Sequence, residues 1–143
     1  MSETVLPTPE AAEAAFYAAF EARSLDAMMA VWADDEHIAC LHPLAAPLDG
    51  RAAVAAGWKS LFEAAGRFRM RVDLAHEIRA TDLVIRIVRE YLTVGQEAEP
   101  RPPILATNVY RREGEGWRMI LHHASPLKVG GPPPTRTAPT LLH

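Results

Sequence analysis

Cysteine is almost absent from this chain of 143 residues, which contains only Cys40. A single cysteine excludes an intramolecular disulfide and any zinc site built from several cysteines. The histidines show neither of the spacings H-x-H and H-x-x-x-H that favour metal binding on one strand or helix. We therefore expect no metal site and no cofactor.

The chain has no excess of positive charge. The chain has 15 basic and 18 acidic residues, a net charge of −3, and no basic block. This balance argues against a nucleic-acid partner. Arg67, Arg69 and Arg71 do cluster, but at the spacing of alternate strand positions, which is typical of a solvated or interface face.

Long apolar runs are missing, since no stretch approaches the roughly 20 residues of a membrane span. No basic-then-apolar signal pattern precedes residue 20, so the expected compartment is the cytoplasm, without membrane association. The 49% hydrophobic composition is ordinary for a globular protein. We expect a single domain over residues 1–128, followed by a tail at 129–143 whose glycines and prolines predict little packing.

Three helices are predicted in the first half. Thr8-Pro9-Glu10 is a typical helix start, and apolar residues at helical spacing extend that helix over 9–22. Ser24 caps a second, shorter helix that ends before Asp34. A third helix runs from Arg51 to Gly66, and Gly57 inside it suggests a close approach by another element.

Strands dominate the second half. A short strand at 37–42 and a loop at 43–50 precede the third helix. Alternation of apolar and charged residues predicts a half-exposed strand over 67–78, whereas the strand at 83–94 is apolar on both faces. Because the helices can cover only one of these faces, we expect the other to form a homodimer interface. This order of elements predicts an α+β domain with an antiparallel sheet.

A β-hairpin is predicted over residues 108–126, with its turn at 113–116. A four-residue turn would pair Arg112 with Trp117 and place Asn108 and Tyr110 on the face of His123; a three-residue turn would align Asn108 with His122. We favour the first register. Strand alternation places Trp117, Met119, Leu121 and His123 on one face, and His122 opposite.

Three stretches together resemble one family. They are Leu25–Asp34 behind an aromatic first helix, Cys40–Pro43 leading into Gly50–Val54 and Trp58, and Ala106–Arg112 followed by Gly116–Ser125. The chain resembles the nuclear-transport-factor-2-like superfamily, and within it the SnoaL-like and ketosteroid-isomerase-like branch. The resemblance implies a cone-shaped domain with N-terminal helices packed on a strongly curved antiparallel sheet. This fold hosts isomerases, cyclases, dehydratases, epoxide hydrolases and binding modules, so it does not assign an activity.

Enzymes of this fold usually hold a catalytic carboxylate, or an Asp–His pair, deep in the cone, and the sequence shows no clear equivalent. Asp34, Asp35 and Glu36 are expected at the rim, and Asp73 on the charged face of its strand. Glu90 shares the alternation of Val88 and Leu92 and could point inward, but a lone buried carboxylate is not favoured.

His123 and His42 are the candidate catalytic residues, as groups that could exchange a proton near neutral pH. An apolar cavity with a few polar groups is what a small-molecule site requires. Its predicted ligand-binding residues are the aromatic and polar side chains Phe16, Tyr17, Phe20, Trp32, Trp58, Tyr91, Asn108 and Tyr110. The sequence leaves two functions open: cofactor-free acid–base catalysis on a small organic molecule, or a non-catalytic binding or dimerisation module.

Overall fold

Side-chain caps fix the N-terminal ends of the first two helices. The computed structural model describes residues 5–127, and α1 spans Pro9–Ala22. The Thr8 hydroxyl accepts the Ala11 N–H at 3.0 Å, which satisfies one of the free donors of the first turn. α2 spans Leu25–Val31, and the Ser24 hydroxyl accepts the Ala27 N–H. Both predicted starts are confirmed, and the predicted tail lies outside the described residues.

The third helix packs against α2 and against the strand before it. α3 spans Arg51–Ala64 and buries Val54, Trp58 and Phe62. The Arg51 guanidinium donates to backbone carbonyls at the end of α2 and just beyond it, including Met29 O at 2.8 Å. A Cβ atom at Gly57 would lie 2.3 Å from Leu48 Cδ1. The close approach predicted from this glycine is confirmed.

Six strands form one curved, mixed sheet that does not close into a barrel. They are β1 (Ala39–Leu41), β2 (Leu48–Asp49), β3 (Phe68–Arg79), β4 (Leu83–Val94), β5 (Ile104–Glu113) and β6 (Gly116–Pro126), in the order β2-β1-β6-β5-β4-β3. The predicted antiparallel pairing holds for β3 to β6. Two details differ from the prediction: β1 pairs with β6 in parallel, and β2 forms within the predicted loop.

Two β-bulges reverse the side-chain alternation partway along a strand. In β6, Met119 pairs with Tyr110 and Leu121 pairs with Val109, so Ile120 is an extra residue. In β3, Ala75 is extra in the same way. Since alternation has a period of two, one inserted residue moves every later side chain to the other face. The faces predicted for the ends of both strands are therefore wrong.

The helices pack on one face of the sheet, here called the covered face. It presents Val84, Val88, Glu90, Ala106, Asn108, Tyr110, Met119 and His122, all of which are buried. Phe16, Trp32 and Trp58 pack against this face to complete the core. No helix of the described residues is long and apolar enough to cross a membrane.

The opposite side of the sheet, here called the open face, carries a cross-strand row of apolar side chains. Ile78 pairs with Ile85, Ile85 with Val109, and Val109 with Leu121. Ile78, at one end of this row, is 53% exposed, whereas Val109 within it is only 8% exposed.

Candidate functional site

A cavity of about 370 Å³ lies between the covered face, α1, α3 and the segment after β1. Its walls are mostly apolar, with side chains that include Phe20, Leu61, Phe68, Met70, Leu92, Val94 and Ile104. Three titratable side chains also line it: His42, Glu90 and His122. Apolar walls with a few polar groups are the usual composition of a small-molecule site.

Glu90 is the carboxyl group of this cavity. It lies on β4 between Val88 and Leu92 on the covered face and is only 3% exposed. The Tyr17 hydroxyl donates to Glu90 Oε2 at 2.6 Å. Burial raises the pKa of Glu90 from 4.5 to about 7, with a further upward contribution from Glu13, while the Tyr17 hydrogen bond opposes the rise. Near neutral pH both the acid and the carboxylate are therefore populated.

His122 is held from behind by Asn108. The two residues pair directly across β5 and β6, and His122 Nδ1 lies 2.6 Å from Asn108 Oδ1. Burial, with smaller contributions from His42 and His123, lowers the pKa of His122 to about 3. The imidazole is consequently neutral at pH 7, so it can form hydrogen bonds in the cavity without bringing a positive charge.

Glu13 anchors the polar side chains behind the cavity. Its carboxylate accepts from Arg86 Nε at 2.7 Å, from the Tyr110 hydroxyl at 2.8 Å and from Asn108 Nδ2 at 3.1 Å. Asn108 Nδ2 also donates to the Tyr17 oxygen at 2.9 Å. A continuous hydrogen-bonded network therefore links both cavity groups, Glu90 and His122, to a buried ion pair between α1 and β4.

His42 lies at the cavity wall after β1. It is half-buried, its ring packs edge-on against Trp58, and burial lowers its pKa. Its Nε2 atom is 3.6 Å from Cys40 Sγ. Burial raises the pKa of the Cys40 thiol to about 12, so Cys40 is a protonated thiol rather than a nucleophile.

The prediction that His123 lines the cavity is wrong. His123 is exposed on the open face, and His122 occupies the cavity wall instead. The predicted hairpin register is right, because Arg112 pairs with Trp117, but the bulge at Ile120 then shifts the pairing by one residue. Asn108 consequently shares a face with His122 and not with His123.

The predicted ligand-binding residues fall into three groups. Phe20 lines the cavity. Tyr17, Asn108 and Tyr110 lie one layer behind it in the network, and Phe16, Trp32 and Trp58 pack around them in the core. Tyr91 was misplaced: it follows Glu90 on β4 and therefore points to the open face, where the Arg71 guanidinium lies 4.1 Å from its ring centre.

The two groups that sequence reasoning did not select are Glu90 and His122. Glu90 had a signal, since it alternates with Val88 and Leu92 within a strand that is apolar on both faces. No sequence signal pointed to His122, because its orientation depends on the bulge at Ile120, and an isoleucine does not predict a bulge. Among the described residues, no group of three or more His, Cys, Asp or Glu side chains could hold a metal ion.

The family model for the SnoaL-like domain matches residues 10–128 of this chain. A solved structure from Thiobacillus denitrificans, named as a candidate calcium/calmodulin-dependent protein kinase type II association domain, is 75% identical, with a TM-score of 0.87 over 88% of this chain and 100% of that one. A candidate dehydratase of the NTF2-like family from Streptomyces avermitilis is 26% identical, with a TM-score of 0.71 over 82% of this chain and 93% of that one.

A plant protein is similar over part of its length. The F-box protein SKIP8 of Arabidopsis thaliana is 25% identical over 114 residues, which are 80% of this chain and 47% of the plant protein. The chain therefore spans about half the length of this curated relative.

Proposed function

Because the chain belongs to the SnoaL-like domain family and has the NTF2-like fold, we propose that its cavity binds a small, mostly apolar organic molecule and that Glu90 transfers a proton to and from it. The observation that carries this proposal is the environment of Glu90. A carboxyl group 3% exposed, in an apolar cavity, with a pKa of about 7 is poised for general acid–base catalysis at neutral pH.

Each neighbour of Glu90 has a distinct part in this chemistry. The carboxylate takes a proton from a C–H bond of the ligand, the electron pair of that bond stays on the ligand, and the resulting acid returns the proton to another atom. Tyr17 orients the carboxyl through its hydrogen bond to Oε2. His122 and His42 lie at the wall, where they can hydrogen-bond polar groups of the ligand.

This scheme needs no cofactor and fits reactions of the isomerase, cyclase or dehydratase type. The similar Streptomyces avermitilis protein is named as a candidate dehydratase. In this scheme one carboxyl group, Glu90, carries the proton, in place of the two histidines, His42 and His123, expected from the sequence.

The test uses whatever molecule co-purifies with the protein. Protein is purified, the bound molecule is extracted and identified by mass spectrometry, and it is returned to the protein in deuterated water. We expect the wild type to introduce deuterium at carbon, and Glu90→Gln to lose this exchange while still folding. Glu115→Gln, on the exposed hairpin turn, is the matched control and should behave like the wild type. Equal exchange by wild type and Glu90→Gln would contradict the proposal.

A second candidate function is supported by the open face and by the Thiobacillus denitrificans relative, whose name describes an association domain. The row Ile78, Ile85, Val109 and Leu121 is apolar, and among the described residues its outer member Ile78 is 53% exposed. We propose that two copies pair through this face as a homodimer, with or without catalysis in the cavity.

Light scattering at micromolar concentration tests this pairing. We expect the mass of a dimer for the wild type and of a monomer for Ile85→Asp, since the charge would lie at the centre of the row. Leu44→Asp changes an apolar residue that is 95% exposed elsewhere and should leave the dimer intact. A monomeric wild type would refute the interface.

A further inference from the structure

Donor and acceptor roles in the hydrogen bonds behind the cavity can be assigned one after another, starting from Arg86. A guanidinium can only donate, so the Glu13 carboxylate accepts from it, and both Glu13 oxygens lie among donors. The Asn108 side-chain group that faces Glu13 Oε1 must therefore be its NH₂. The opposite orientation would place the amide oxygen 3.1 Å from a carboxylate oxygen with no hydrogen between them.

This orientation determines which nitrogen of His122 carries a proton. With its NH₂ turned to Glu13 and Tyr17, Asn108 presents its amide oxygen to His122 Nδ1 at 2.6 Å. An amide oxygen can only accept a hydrogen bond, so Nδ1 must be the protonated nitrogen. In a neutral imidazole the other nitrogen, Nε2, then has a free lone pair. Since Asn108 engages Nδ1, Nε2 is the ring nitrogen left for a ligand, and His122 lines the cavity.

We propose that Asn108 holds His122 in the Nδ1–H form, so that Nε2 accepts a hydrogen bond from the ligand and the cavity selects neutral molecules with a hydroxyl group over carboxylates. The proposal rests on the cavity being a ligand site, as proposed above, and it adds the chemical class of the ligand. Asn108 is a positioning residue in this account, since it acts through His122 and does not line the cavity.

The charges around the cavity support this selectivity. Neither lysine nor arginine is among the described residues that line it, and Arg86 is already paired with Glu13 and Glu77. Because burial lowers the pKa of His122 to about 3, this ring does not become a cation at neutral pH. A carboxylate in the cavity would face a nitrogen lone pair and the Glu90 carboxyl, without a positive partner to offset its lost hydration. A hydroxyl group would instead donate to Nε2.

The tautomer is measured directly by nitrogen-15 NMR of the histidine side chains in the full-length protein. We expect the His122 signals to show a protonated Nδ1 and an unprotonated Nε2 from pH 6 to pH 8. His122→Gln, whose spectrum lacks the His122 signals, assigns them among those of the six histidines. Asn108→Leu, which cannot accept the Nδ1 proton, should lose the single tautomer. A protonated Nε2 in the wild type overturns the inference whether or not the leucine variant folds.

Ligand class is tested with three probes of one shape: 2-naphthol, 2-methoxynaphthalene and 2-naphthoate, each titrated calorimetrically at pH 7. We expect 2-naphthol to bind about 10-fold more tightly than its methyl ether, because only the alcohol pairs with the buried Nε2 acceptor. It should also shift the His122 Nε2 signal, and 2-naphthoate should bind most weakly. Preference for the carboxylate, equal binding of all three probes or binding of none would overturn the assigned ligand class. These results do not depend on proton transfer by Glu90. Equal deuterium exchange by the wild type and Glu90→Gln would therefore refute only that part of the proposed function.

Discussion

Replacing Glu90 with glutamine should make the protein more stable at pH 8 and leave its stability nearly unchanged at pH 4.5. The Glu90 side chain is 3% exposed, and burial is the main cause of its raised pKa. Glutamine has a similar shape and keeps an oxygen that can accept the Tyr17 hydrogen bond at Oε2. The substitution therefore removes the ionisable group with little change in packing.

The expected magnitude follows from the pKa. Glu90 titrates at about 7 in the folded chain and at an ordinary value of 4.5 in the unfolded one. Between these values the folded state binds more protons than the unfolded state, so the free energy of unfolding falls as pH rises. At about 1.4 kcal/mol for each pH unit, the loss is about 3 kcal/mol once the pH exceeds 7. Glu90→Gln should recover most of that amount at pH 8.

Urea unfolding at several pH values between 4.5 and 8 measures this difference. The control is Glu115→Gln, an exposed carboxyl on the hairpin turn, which should give the pH dependence of the wild type. A gain in stability that is the same at every pH would show that the effect is not ionisation. A glutamine variant less stable than the wild type at pH 8 would mean that the carboxylate stabilises the fold, which is the opposite of the expected effect.

The other predictions concern the network behind the cavity. Tyr17→Phe removes the hydroxyl that lowers the pKa of Glu90, so this pKa should rise further. The free energy of unfolding should fall by about 1–2 kcal/mol at pH 8, and by less at pH 5. Tyr91→Phe on the open face is the control, and an unchanged Glu90 titration in Tyr17→Phe would contradict the assigned contact. Glu13→Ala leaves Arg86, Tyr110 and Asn108 without their shared acceptor and should cost about 3 kcal/mol or more in urea unfolding. Glu10→Ala, whose carboxylate is half-exposed beside Arg79, should cost about 1 kcal/mol or less, and similar losses in the two variants would argue against a buried network.

Local sequence signals predicted the elements of this fold well. Thr8 and Ser24 cap the first two helices, and Gly114 in the hairpin turn adopts the φ of 61° for which glycine is suited. The pairing partners of short strands were less accessible, because β1 and β2 have only three and two residues. Their places in the sheet are set by contacts with β6 and α3 and not by their own composition.

Much less of the site could be predicted, because the orientation of its residues depends on contacts between distant parts of the chain. The bulge at Ile120 inserts one residue and exchanges the faces of His122 and His123. The sequence contains both histidines but not the bulge, which forms through pairing with β5. Glu90 was visible by its alternation with Val88 and Leu92, yet its partner Tyr17 lies 73 residues earlier in the chain. A buried position for a carboxyl can be predicted only once such a hydrogen-bond partner is known.

In the proposed function, Glu90 gains and loses its proton near neutral pH inside an apolar cavity. Carbon-13 NMR of the glutamate side-chain carboxyls, titrated from pH 3 to pH 9 and assigned with Glu90→Gln, measures this titration. We expect one carboxyl signal, absent from the glutamine variant, with its midpoint at about pH 7. A Glu90 midpoint near the ordinary value of 4.5 would show that the cavity does not raise the pKa of this carboxyl.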